Sequence, residues 1–382
     1  MTPLEDQETV NFLLIGSDKR PGGSFRTDTM VIAILLPKEG QVSLISIPRD
    51  LWVYIPEWGN QRINTAYQRG EITNYPGGGP GLLKDTILYN LGVRIDHTAM
   101  VEFDGFQHII DTLGGIDVPV ACPFTDWRLI DPSYNPHNEN NWWLYTVGPG
   151  LVHMDGDLAL WYARSRLRSS DFDRGRRQQE VLRAIYNRVL STGTIARIPA
   201  LYTDLTTIAE TDIKLTQMLQ LSLLAPKLSN ANFRSYYIRP PLVTSWITPQ
   251  GAYVLLPNEV PMKQMLLEAM APSERAEERE AVVIEIQNGT PYEGWAELAA
   301  TRLNYAGFET KIVPADRQDY SYSTLVDLNP TLDPTQNNLI LGVLGLPPAN
   351  LASLPDASSP VHYRLILGSD YKPCFSPEKL SH

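Results

Sequence analysis

Short apolar runs and longer amphipathic periods alternate along most of this chain. Val10 to Ile15, Met30 to Leu36 and Val42 to Ile47 are apolar stretches bounded by Gly, Pro and Asp, which predicts buried strands of one sheet. Helical spacing follows at Leu83, Ile87, Leu88 and Leu91, closed by Gly92, and at Phe106, Ile109, Ile110 and Leu113, closed by Gly114 and Gly115. Asp155 is placed to cap a short helix through Ala163, and Asp171 or Asp173 to open a long one to about Leu190. Cys122 to Gly150 is rich in Pro and Asn and has no sustained period. Its tryptophans Trp127, Trp142 and Trp143 predict a packed surface loop, a lid or ornament. After the polar run PSERAEERE come a strand (Val282 to Ile286), an Asn-Gly turn, a helix (Trp295 to Ala306) and a strand (Thr310 to Val313), a small βαβ-type unit. The pattern is that of an α/β protein.

Length and composition sharpen this. A chain of 382 residues exceeds what one core usually holds. The expected division is a domain over 10–271, a linker at 272–280 and a smaller domain over 281–372. A net charge of −11 argues against a nucleic-acid-binding face, which needs a broad surplus of Lys and Arg. The two cysteines, Cys122 and Cys374, allow at most one disulfide and no Cys-based zinc cluster, and leave the redox compartment open. No apolar run reaches the roughly 18 to 20 residues of a membrane span, and Met1 to Val10 lacks a secretory signal, so the chain as given reads as soluble.

Arginine carries the candidate chemistry. Arg164, Arg166, Arg168, Arg174, Arg176 and Arg177 crowd into one stretch of an acidic protein, a like-charge concentration that an anion would relieve. Arg164, Arg166 and Arg168 alternate, so an extended segment would point all three to one side. On the following helix, Arg174 lies about −40° from Gln178 on the stripe of Val181, Leu182, Ile185 and Val189. Arg174 and Gln178 are thus expected to face inward, with Arg177 on the flank and Arg176 solvated on the opposite side. An inward Arg and Gln continuing an apolar stripe describe a polar site opening on a greasy groove, suited to an amphiphilic phosphate. A buried ion pair of Arg174 with Asp171 or Asp173 is the plainer alternative. Further candidates, Asp18, Arg26, Asp28 and Arg49, flank the predicted strands, where open α/β sheets bind ligands. Asp18 and Asp28 could share a Mg²⁺, or simply cap turns.

The segments LLIGSDKR, FRTDTMVIAIL, VSLISIPRDLWVYIP, RINTAYQRG, TLGGIDVPV, HMDGDLALWYARSR and DFDRGRRQQEVL, in this order, resemble the LytR-CpsA-Psr family of bacterial cell-wall glycopolymer ligases over about residues 10 to 271. The tail, with VVIEIQNGT, GWAELAATRLNYAGFETKIV and YRLILGSDY, is similar to the LytR C-terminal domain often appended to that family. The resemblance implies a layered α-β-α domain around a central mixed sheet, plus a small C-terminal α/β domain. It implies a Mg²⁺-dependent (or Mn²⁺-dependent) phosphotransferase that moves an anionic glycopolymer from a polyprenyl-pyrophosphate carrier to a peptidoglycan sugar hydroxyl, working at the membrane surface on the extracytoplasmic face. By motif position, Asp18 and Asp28 would be metal carboxylates. Arg26, Arg49, Arg164, Arg166, Arg174 and Gln178 would hold the pyrophosphate, with Arg49, Arg164, Arg166 and Asp28 catalytic. Asp18 and Asp28 both remain candidates for the general base. Family members usually carry a membrane helix ahead of the first strand; here about nine residues precede it, the start expected of a truncated sequence or else of an untethered protein. A polyprenyl-diphosphate pyrophosphatase and a non-catalytic binding module are the competing readings. A nucleotide-binding or serine-hydrolase reading fails, since no GxxxxGK[ST], GxGxxG or GxSxG is present. The C-terminal part is expected to bind or position, and the histidines to be structural or exposed.

Overall fold

A computed structural model describes residues 4, 8–17, 27–167, 171–191, 202, 206–228, 232–272, 282–329 and 334–374. The chain divides into two compact units, one of Met1–Ile116, Met154–Leu228 and Phe233–Pro272, the other of Asp117–His153, Ser229–Asn232 and Ser273–His382. In chain order the first unit opens with β1 (Val10–Ser17), β2 (Thr27–Leu36), β3 (Gln41–Ser46), β4 (Trp52–Ile55) and β5 (Gly59–Arg62). Helices α1 (Ala66–Ile72) and α2 (Gly78–Leu91), strand β6 (His97–Glu102) and helix α3 (Phe103–Thr112) follow. After the excursion β7 (Ile116–Val120), β8 (Phe124–Leu129), β9 (Trp142–Val147) and β10 (Gly150–Met154) come α4 (Gly156–Arg164), α5 (Asp171–Ser191), β11 (Ala209–Thr211) and α6 (Leu215–Ser222). Strands β12 (Phe233–Tyr237), β13 (Val243–Ile247) and β14 (Tyr253–Pro257) and helix α7 (Glu259–Met270) complete it.

The central sheet runs β11-β6-β1-β2-β3-β12. It is mixed, because β2 is antiparallel to both β1 and β3 while β1/β6 and β3/β12 are parallel. Strand residues alternate between faces, and the two faces differ. On one, Leu13, Ile15, Ile32, Ile34 and Ile45 are sealed by Leu82, Leu83 and Ile87 of α2 and by Met262 and Leu266 of α7. On the other, Val31, Leu35, Val42 and Leu44 meet buried Leu228 and otherwise partly buried partners, among them Leu14, and Leu182 and Tyr186 of α5. Helices thus cover both faces of a mixed sheet, and the looser face is where the cavity described below opens.

Two local expectations are corrected. The stretch Cys122 to Gly150 is not a structureless loop: β8 and β9 pair in register from Phe124↔Val147 to Leu129↔Trp142. Its apolar residues hid the period-2 signal by sitting on exposed positions, Trp127 at 47%, Trp143 at 45% and Leu144 at 48% exposure. Nor is the Arg164 segment extended. Asp155 accepts a hydrogen bond from the Leu158 amide at 2.8 Å, and the helix it caps runs through Arg164, so Arg164 and Arg166 do not share a strand face.

In the second unit, a five-stranded sheet is ordered β16-β15-β19-β17-β18, from β15 (Val283–Asn288), β16 (Glu309–Val313), β17 (Thr324–Asp327), β18 (Leu351–Ser353) and β19 (Tyr363–Leu367). Helices α8 (Trp295–Tyr305) and α9 (Thr335–Leu344) pack Leu303, Ile340 and Leu344 against Ile284, Ile286 and Leu365. Cys122 and Cys374 form a disulfide between the β7–β10 excursion and the chain after β19. A crosslink across 252 residues removes a large share of unfolded-state freedom.

Candidate active site

Helix α5 is fixed to its surroundings by polar side chains near its start. Gly175 lies so close to β3 that an added Cβ would meet Ser46 Cβ at 3.3 Å. The buried Gln179 donates from Nε2 to Ser46 Oγ at 2.8 Å and to the carbonyls of Tyr236 at 3.1 Å and Leu44 at 3.3 Å. Gln178 donates to Thr29 Oγ1 at 2.8 Å and to the Ala163 carbonyl at 3.2 Å, tying β2, α4 and α5 together.

The inward orientation expected of Arg174 and Gln178 is found, with Arg174 only 4% exposed. The two neighbouring arginines differ from expectation. Arg177 is the most buried of the set, donating to the carbonyls of Tyr162 and Ser165. Burial lowers its pKa to about 10. Arg176 is not simply solvated; it pairs with Glu180, whose carboxylate also accepts from the Tyr162 hydroxyl at 2.9 Å. The helical-wheel reading missed both because α4 covers that side of α5, which a single-helix projection cannot show. Arg177→Ala would leave one buried and one half-buried carbonyl without their donor, and a loss of about 3 kcal/mol in folding stability is expected, read from the urea midpoint.

Asp28 is the centre of a second group. Its Oδ1 is 3.0 Å from Arg49 Nη1 and its Oδ2 3.6 Å from Arg166 Nη2. Arg49 Nε also lies 3.4 Å from Asp50 Oδ2, and Asp50 Oδ1 lies 3.4 Å from Arg62 Nη1. Asp28, Arg174 and Gln178 together line one small cavity of about 20 Å³. Residues from β2, the β3–β4 turn, the chain after α4 and helix α5 therefore converge. Asp50 stood in sequence only as the neighbour of Arg49, with no role, and Arg62 was not singled out; an acid next to an arginine, and an arginine in a short polar strand, carry no spacing signal. Asp18, Arg26 and Arg168 lie outside the described residues.

Gln178 also lines a second, larger cavity of about 330 Å³ on the looser face of the sheet. Its walls are apolar: Leu14, Val31 and Val101 from strands, Phe106 from α3, Val181 and Ile185 from α5. Arg164 joins Gln178 there, its guanidinium carbon 3.8 Å from the Phe103 ring centroid. Gly16 lines the same cavity beside Thr29, where an added Cβ would meet Thr29 Cβ at 3.0 Å. Cationic and hydrogen-bonding groups thus border a deep apolar hollow, a shape that suits an ionic head on a hydrocarbon tail.

Residues 1–269 match the LytR_cpsA_psr family, and the chain belongs to that family. Residues 281–371 match the domain described as LytR cell envelope-related transcriptional attenuator. Among sequence relatives, the probable cell wall biosynthesis protein LcpB of Corynebacterium glutamicum is 32% identical over 210 residues, covering 51% of this chain and 45% of that protein. The polyisoprenyl-teichoic acid–peptidoglycan teichoic acid transferase TagU of Oceanobacillus iheyensis is 31% identical over 216 residues, covering 56% of this chain and 62% of TagU. The chain thus spans between about half and three-fifths of the length of these relatives. The crystal structure of TagV from B. subtilis superposes with a TM-score of 0.56 at 26% identity, covering 70% of this chain and all of that one. Among the described residues no helix is long and apolar enough to cross a membrane.

Proposed function

We propose that this protein transfers an anionic cell-wall glycopolymer from a polyprenyl-diphosphate carrier to a sugar hydroxyl of peptidoglycan. The observation that carries the reading is the double position of Gln178, which lines both the small cavity with Asp28 and Arg174 and the apolar cavity with Arg164. The diphosphate occupies the arginine side and the polyprenyl chain the hollow. Family membership, and relatives named as teichoic acid transferases, support the same chemistry.

The acceptor hydroxyl oxygen attacks the polymer-side phosphorus and the bond from that phosphorus to the bridging oxygen breaks. Polyprenyl phosphate leaves with the electron pair, and the hydroxyl proton goes to a carboxylate of the site, Asp28 or Asp18. Charge builds on the phosphoryl oxygens, where Arg49, Arg164, Arg166 and Arg174, joined by Arg26 by motif position, hold and neutralise it, while Gln178, its amide hydrogens committed to Thr29 and Ala163, keeps α5 in place beside them. No group of three or more His, Cys, Asp or Glu gathers as metal ligands among the described residues. A Mg²⁺ or Mn²⁺ ion suits such a site, because it draws most of its shell from phosphate and water and needs one or two carboxylates. Asp28, its side chain 36% exposed beside the arginines, fits that role, with Asp18 as the second carboxylate by motif position alone; bound there, the ion would neutralise diphosphate charge. The disulfide belongs in an oxidising compartment, which supports work on the extracytoplasmic face of the membrane.

Purified protein supplied with polyprenyl-diphosphate-linked polymer and a peptidoglycan oligosaccharide is expected to form the phosphodiester product. Release of polymer phosphate to water at the same rate with and without the acceptor would point instead to a pyrophosphatase. EDTA is expected to remove the activity and added Mg²⁺ or Mn²⁺ to restore it; full activity in EDTA would remove the metal from the reading.

A further inference from the structure

A third cavity, of about 480 Å³, lies apart from the apolar hollow and has a different lining. Its wall is an indole, carboxamides and hydroxyls: Trp52, Asn60, Gln61, Asn64, Gln250 and Thr65, with Arg62 at one side. Arg62 is the sole charged residue in that lining, and Asp50 pairs with it at 3.4 Å. Carboxamides both donate and accept hydrogen bonds, which matches a ligand dense in hydroxyls and amides and without net charge. Trp52 offers a flat apolar surface, braced edge-on by Trp246 with centroids 6.2 Å apart. A pyranose, with hydroxyls around its rim and C–H bonds on its faces, has both properties.

Asn64 ties the cavity to the phosphate cluster. Asn64 is 2% exposed, yet its Oδ1 accepts no hydrogen bond among the described residues. That oxygen is closed to solvent as well, so Asn64 lines the cavity without offering it to a ligand. Its backbone joins this cavity to the phosphate site. The Asn64 amide donates to the Arg49 carbonyl at 3.4 Å, and the Asn64 carbonyl accepts from Thr27 Oγ1 at 3.3 Å, next to Asp28.

We infer that this cavity binds the acceptor, a neutral saccharide segment of the peptidoglycan glycan, and presents one hydroxyl toward Asp28 and Arg49. The assignment rests on the transferase reading above. The donor polymer is a poorer occupant, because it is anionic and the lining has no cation apart from the paired Arg62. Trp52 and the accessible carboxamides of Asn60, Gln61 and Gln250 are here binding residues.

The test is direct titration of the full chain by calorimetry with a neutral tetrasaccharide of alternating N-acetylglucosamine and N-acetylmuramic acid, its lactyl carboxyls capped as amides, together with transfer kinetics. Exposed Gln250 and half-buried Gln61 allow a variant that keeps the core intact. Gln61→Ala/Gln250→Ala is expected to weaken tetrasaccharide binding about tenfold or more and to raise the acceptor KM correspondingly, with the KM for the diphosphate donor at its wild-type value. Trp52→Phe is expected to bind more weakly than wild type but better than Trp52→Ala. Undiminished binding in the double variant, or a raised donor KM in place of the acceptor KM, would overturn the assignment. Binding that depends on these residues in a protein showing no transfer would leave the saccharide site standing and remove the transferase reading, so the two fail separately.

Discussion

Arg49→Ala is expected to lower the rate of glycopolymer transfer by roughly 10²- to 10³-fold, the usual cost of removing one preorganised donor from developing charge. Arg49 is singled out because it faces two carboxylates, Asp28 at 3.0 Å and Asp50 at 3.4 Å, and so sets the geometry of the cluster as well as its charge. Arg49→Lys should recover little. An ammonium lacks the planar fork that spans both partners and a phosphate oxygen. The effect should fall on kcat more than on donor KM, since the apolar hollow continues to hold the tail. Steady-state kinetics with a defined polyprenyl-diphosphate donor would show the split; a pure KM effect would place Arg49 in ground-state binding only.

Narrowing the hollow should be the second-largest effect. Ile185 lines the cavity from α5 and is only partly buried, so Ile185→Trp can project a ring into the space without displacing close-packed core. Each CH₂ lost from apolar burial is worth about 0.8 kcal/mol. Exclusion of as few as two carbons therefore weakens donor binding more than tenfold, and a full isoprenoid unit costs more. The diagnostic is chain length. Donors with a long prenyl tail should lose affinity steeply in the variant, whereas a short-tailed donor whose carbons stop before Ile185 should be used as by wild type. Equal losses for both would mean that the tail lies elsewhere.

The strands of the central sheet could be read in the sequence because their apolar runs are short and bounded, and α4 and α5 because Asp155 and the Asp171–Asp173 pair mark their starts. The inward facing of Arg174 and Gln178 followed from periodicity alone. What sits against a helix did not: the burial of Arg177 and the pairing of Arg176 with Glu180 depend on α4, brought there by chain that folds after a long excursion. The β8–β9 hairpin was missed because Trp127, Trp143 and Leu144 put large apolar groups on an exposed face. The hollow was expected as a greasy groove along the stripe of α5, without its sheet wall. Leu14 and Val31 look like ordinary core in sequence, and nothing in their spacing says that α5 stands off from the sheet over them. Asp50 and Arg62 extend the cluster through contacts that no motif spacing encodes.

The most direct test of the central claim is a crystal structure of the protein with a long-chain polyprenyl diphosphate and Mg²⁺. The expected density places the diphosphate among Arg49, Arg164, Arg166, Arg174 and Gln178, with the hydrocarbon running between Val101, Phe106 and Ile185. A diphosphate bound away from those arginines, or a tail lying on the outer surface with the hollow empty, would contradict it.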